Sequence, residues 1–143
     1  MFVPYKLRRH RQYIRLLEVL HPLTSYIELV PVNPADDLIV PWALKHLPLL
    51  AQETVKSWNG TKSSEPYQKY LFQWSETALK HFMDLHNFFI YCEAPEGKLG
   101  DVILETEFAW TDVAFLNESK EPLFYTITHE GEAFIQTALR DKV

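Results

Sequence analysis

The sequence predicts an α+β fold, a mainly helical single domain over 1–143 with a small antiparallel sheet or hairpin in its C-terminal half. Three observations predict it. Apolar residues recur every three or four positions over 66–92, two short β-prone runs flank a polar turn near 117–122, and loop-forming stretches at 59–66 and 94–100 separate the periodic segments. With 143 residues, 47% of them hydrophobic and 14% aromatic, one core is expected to form without disulfide staples. A chain of that length buries roughly 68–70% of its unfolded surface.

A basic N-terminal helix is expected within 1–22, because Leu7, Ile14, Leu17 and Leu20 form an apolar line while Arg8, Arg9 and Arg15 stay solvated. His21-Pro22 ends it, since a residue preceding proline is pushed out of the helical region. Tyr26–Val30 is a short strand closed by Pro31 and Asn33-Pro34. Asp36, Asp37 and Pro41 suit a helix start, and that helix should run to about Trp58, kinked at Pro48 and ended by Asn59-Gly60. Ser64 is the expected cap of a long helix over 66–92, whose stripe is Tyr67, Leu71, Trp74, Ala78, Phe82, Leu85 and Phe89. Residues 101–110 fit an edge strand with Glu105 and Glu107 on one side, and a short amphipathic helix explains the pattern almost as well. Residues 113–116 and 123–128 pair as a hairpin, and a last helix covers about 130–140 with Phe134, Ile135, Ala138 and Leu139 turned inward.

The net charge of −5 conceals an asymmetry. Residues 1–20 carry Lys6, Arg8, Arg9, Arg11 and Arg15 against Glu18, a net of +4, so the remaining chain sums to −9. The stretch 93–132 holds ten acids against Lys98 and Lys120, and that part would repel a phosphate backbone. The lone Cys92 has no partner for an internal disulfide, and it precedes Glu93, so a small hydrophobe is expected rather than a nucleophile. A cytoplasmic location is the expectation, with no leader and no membrane-spanning segment of eighteen apolar residues.

No cofactor is implied, because the four glycines form neither a dinucleotide-binding nor a phosphate-loop pattern. No metal is implied either. His81 and His86 lie five apart on different helical faces, and a grouping of His81, Asp84 and His46 lacks the spacing of a ligand set. Paired carboxylates drawn from Glu105, Glu107, Glu118 and Glu121 are the only route to an enzyme, and they read more simply as a solvated face. The basic helix could also lie on anionic lipid, although docking within the chain satisfies the same stripe.

The segment Leu123–Ile135 resembles the end of many bacterial winged-helix regulators, whose wing strand finishes in a Y-x-L/I-T-x-x-G pattern matched by Tyr125, Ile127, Thr128 and Gly131. The resemblance covers about 13 residues and implies a helix after Gly131; separately, the Lys/Arg cluster of the basic helix, Lys6, Arg8, Arg9, Arg11 and Arg15, could supply the phosphate contacts of such a nucleic-acid-binding reading. Acidic and apolar residues over 105–117 stand where that family carries its recognition helix. Without the family, Thr128 is an N-cap candidate.

The leading expectation is therefore a small non-enzymatic protein-binding or accessory protein, of inhibitor, immunity or complex-subunit type. Its acidic and aromatic surface would comprise Glu105, Glu107, Trp110, Asp112, Glu118 and Glu121, facing a basic protein or a second copy. The alternatives are the winged-helix-like nucleic-acid-binding regulator and a small enzyme with a carboxylate site.

Overall fold

The computed structural model describes residues 1–7, 9–85, 92–93, 102–103 and 111–143. In chain order it contains β1 (Phe2–Pro4), α1 (His10–Leu20), a 3-10 turn (His21–Leu23), β2 (Tyr26–Pro31), α2 (Ile39–His46), β3 (Leu49–Trp58) and β4 (Thr61–Gln73). There follow α3 (Glu76–Met83), β5 (Cys92–Glu93), β6 (Val102–Ile103), β7 (Thr111–Leu116), β8 (Pro122–Ile127), a 3-10 turn (Thr128–Glu130), β9 (Glu132–Gln136) and a 3-10 segment (Thr137–Lys142). Seven strands form one antiparallel sheet in the order β1-β9-β8-β7-β2-β4-β3, while β5 and β6 pair separately.

The large sheet corrects the mainly helical expectation. Five differences account for it. Within the basic 1–22 segment, the helix expected over about 6–20 occupies only His10–Leu20, and the residues ahead of it form β1, which pairs with β9. The helix expected to reach Trp58 stops at His46, and beyond Pro48 the chain enters β3. The expected loop 59–66 shrinks to the Asn59-Gly60 turn of a β3–β4 hairpin, with Gly60 at φ 73° in the left-handed region that hairpin turns require.

Over 66–83 the expected long helix is instead the end of β4, a short link and α3, while 86–91, with Phe89 of the expected stripe, lie outside the described residues. A four-residue spacing keeps two side chains on one face of a strand as well as of a helix, so Tyr67 and Leu71 satisfied both periods. Aromatic residues at 67, 70 and 72 then favour the pleated state. Ser75, not Ser64, caps the following helix, its hydroxyl accepting the Ala78 N–H at 3.4 Å.

The expected last helix is β9 followed by a 3-10 segment. Ala133 and Ile135 are buried and alternate with more exposed neighbours, the period of a strand. The helix implied after Gly131 by the winged-helix resemblance is thus a strand, entered through a single 3-10 turn that Gly131 closes at φ 69°. The 113–116/123–128 hairpin is present as β7 and β8. The expected loop at 94–100 lies outside the described residues, as does 101–110 apart from β6.

One sheet face carries Ile27, Leu29, Phe72, Val113, Phe115, Phe124, Ala133 and Ile135, all buried against the three helices. From α1 come Tyr13, Leu16, Leu17 and Leu20, from α2 Ile39, Val40 and Ala43, and from α3 Ala78 and Phe82. Trp74, Phe82, Phe115 and Phe124 meet edge to face or tilted with centroids 5.3 to 6.1 Å apart. The Tyr13 hydroxyl donates to the Phe82 carbonyl, joining α1 to α3. Asp37 prepares α2, its Oδ1 accepting the Ile39 N–H at 2.9 Å. Burial pushes that carboxyl up, against the pull of the same amide bonds.

The opposite sheet face holds a smaller cluster of Leu71, Ala114 and Leu116 with Tyr26 and Tyr125 packed on it. The end of the β3–β4 hairpin folds over this face, because register shifts between Val55 and Ser57 bend the ribbon. A Cβ at Gly60 would stand 3.3 Å from the Ile127 side chain and 3.4 Å from the Tyr125 ring, so glycine permits both the turn and the close approach.

Candidate functional site

Asp112 and Trp58 hold the folded-over hairpin in place. The Trp58 indole N–H donates to Asp112 Oδ2 at 2.8 Å, and the Thr128 backbone N–H donates to Oδ1 at 2.8 Å. Thr126 Oγ1 accepts the Val113 N–H at 3.0 Å and lies 2.8 Å from Thr128 Oγ1, extending the network. Asp112, one of the expected partner contacts, is 3% exposed, and both of its oxygens accept hydrogen bonds within the fold. Its role is to fasten β3, β7 and the β8–β9 turn together. An Asn-Gly dipeptide directly after Trp58 was the available sequence signal for this hairpin.

Glu28 lies under the same hairpin and accepts from Asn59 Nδ2 at 3.2 Å. Burial raises its pKa, opposed by the Lys69 charge and the Asn59 hydrogen bond. Lys69 is itself committed to Glu53, with Nζ 2.8 Å from Oε1. That pair joins β3 to β4 at directly opposed positions.

Of the other expected partner contacts, Glu118 and Glu121 are exposed in the β7–β8 turn. Asn117 Oδ1 shapes this turn by accepting the Ser119 and Glu121 N–H groups, both at 2.9 Å. Lys120 sits between the two acids at φ 63°, with its ammonium 5.6 Å from the Tyr26 ring centroid. Glu105, Glu107 and Trp110 lie outside the described residues, as does Arg8, and nothing of the Cys92 side chain is described. Lys6, Arg9, Arg11 and Arg15 are all exposed, and Arg15 Nη2 donates to the Lys142 carbonyl at 3.2 Å.

His21, His46 and His81 serve packing and orientation. Trp42 stacks on His81 with centroids 3.6 Å apart and planes within 4°, and on His46 at 5.0 Å. Both imidazoles of the earlier His46/His81/Asp84 grouping therefore engage one indole, and the His81 contact joins α2 to α3. His21 Nδ1 accepts the Trp74 indole N–H at 2.9 Å, and its Nε2 lies 3.1 Å from Glu76 Oε1. Both ring nitrogens are engaged, leaving neither poised as a general base. Among the described residues, no group of three or more His, Cys, Asp or Glu is placed to hold a metal ion.

A different surface presents itself to solvent. β3 pairs with β4 alone among the described residues, and its side chains are exposed along most of its length. Between its two irregularities, Ala51–Val55 runs in regular register with Tyr67–Leu71 and contains no proline. Next to it in the chain are Leu38, 72% exposed, and Leu44, Leu49 and Leu50, each exposed to 42% or more. An edge strand that no described strand covers leaves a row of backbone N–H and C=O groups without a ladder partner among the described residues.

Comparison with protein-family models, curated proteins and solved structures finds no match for this chain. Among the described residues no helix is long and apolar enough to cross a membrane.

Proposed function

We propose that the chain is a non-enzymatic protein-binding factor, an accessory, inhibitory or complex-forming protein that receives an extended segment of its partner along β3. The supporting observation is the edge of β3 at Ala51–Val55, in regular register and without proline or lysine, with exposed Leu49 and Leu50 just ahead of it in the chain. Long edge strands are ordinarily blunted by proline, lysine or bulges. Here the bulges flank the segment and leave its centre open. The exposed Glu118 and Glu121 favour a partner with basic character near this protein's β7–β8 turn.

Successive residues of an antiparallel edge point their N–H groups alternately inward and outward. Gln52→Pro and Glu53→Pro therefore form a matched pair, of which only the outward-facing member spares the β3–β4 ladder. In a native pull-down from source-cell extract with nuclease treatment, a stoichiometric protein should survive the nuclease. It should be lost with the outward proline variant and with Leu50→Glu, both folded by circular dichroism. A captured protein indifferent to these substitutions, or nuclease-sensitive nucleic acid without a protein, overturns the proposal.

A further inference from the structure

The cations of the amino-terminal segment are joined in space by others from the far end of the sequence. The Arg15 guanidinium donates to the Lys142 carbonyl, which brings the Thr137–Lys142 segment against α1 and places Arg140 and Lys142 in the same neighbourhood. Lys6, Arg9, Arg11, Arg15, Arg140 and Lys142 are all exposed, and within the sequence segments that carry them, 1–20 and 137–142, the acids are Glu18 and Asp141, with Glu132 next to Ala133 opposite Tyr5. Arg11 and Arg15 stand one helical turn apart, about 6 Å along the axis, so they act together within a Debye length of about 8 Å.

We propose that this ridge binds nucleic-acid phosphates without regard to base sequence. Guanidinium groups, which predominate here, pair with phosphate oxygens through two parallel hydrogen bonds. A lipid surface fits less well. The apolar side of α1, Tyr13, Leu16, Leu17 and Leu20, is buried in the core and has nothing to insert into a bilayer. A protein partner fits less well too, because no leucine, phenylalanine, tyrosine or tryptophan is exposed among the described residues of α1 to serve as a desolvated anchor. The ridge is separate from β3, so either proposal can fail alone.

The test is fluorescence anisotropy of a mixed-sequence labelled duplex and of its single strand, titrated with the full chain at about 50 and about 200 mM salt. With three or four cations on phosphates, affinity should fall roughly 40- to 150-fold between these salts and stay unchanged when the sequence is shuffled. The double variant Arg11→Glu/Arg15→Glu should lose at least about tenfold at the lower salt and flatten the salt slope by about 2. Arg11→Lys/Arg15→Lys should keep most of that slope. Lys62→Glu, an exposed reversal on the β3–β4 hairpin, should stay within about twofold of the parent. No binding at the lower salt, equal losses from Lys62→Glu and the arginine reversals, or capture of phosphatidylserine vesicles or polyglutamate in place of nucleic acid would overturn the proposal.

Discussion

Asp112 shows what one buried carboxylate can organise. Its two oxygens accept N–H groups from Trp58 and from the Thr128 backbone, so Asp112→Asn must turn an amide donor toward one of two donors. The expected cost is about 2–3 kcal/mol in a denaturant titration. Combining it with Trp58→Phe should cost less than the sum, with a coupling of about 1–2 kcal/mol; strict additivity would mean the two side chains act separately. Glu28 behaves in the opposite sense. Its folded pKa is raised, so the stability it contributes is fully present below the ordinary carboxyl value of 4.5 and is lost as pH rises through the folded value. Glu28→Gln should therefore raise the unfolding midpoint more at about pH 7 than at about pH 4. An equal shift at both would mean burial does not set this carboxyl's titration.

At the scale of the element, the β3–β4 hairpin depends on Gly60. Gly60→Ala places a Cβ against Ile127 and Tyr125 at a left-handed position, and should cost about 1–2 kcal/mol and shift the Trp58 emission. Unchanged stability and emission would show that the turn is not clamped onto the second face. The same hairpin shows where sequence periodicity runs out. Strand β2 and the β7–β8 hairpin were legible because their apolar runs are short and bounded by proline or a polar turn. The stripe through Tyr67 and Leu71 was not, because an interval of four fits helix and strand alike and only pairing with β2 and β3 decides between them. Asn59-Gly60 could end a helix or turn a hairpin, and the choice lay with Trp58 finding Asp112, fifty-four residues away. Of the candidate contacts, the exposed Glu118, Glu121 and basic residues could be read from charge alone, whereas the burial of Asp112 could not. The free edge of β3 was invisible until the strand itself was recognised.

At the scale of the whole molecule, two faces of one sheet do different work. The helix-covered face supplies the main core, where truncating a fully buried ring such as Phe115 or Phe124 to alanine should cost about 3–5 kcal/mol in a denaturant titration. A cost near 1 kcal/mol at either ring would mean that the layer repacks freely. Strand order has a consequence in time. β2 lies between β4, which follows it closely in the chain, and β7, which is far from it, while β1 waits for β9. A β2–β4–β3 unit can assemble first, since shorter loops close at lower entropic cost. During synthesis on the ribosome, one edge of β2 then stays bare until the carboxyl-terminal third of the chain emerges. The amino-terminal strand docks last, so in pulse-labelling hydrogen exchange its amides should gain protection after those of β4.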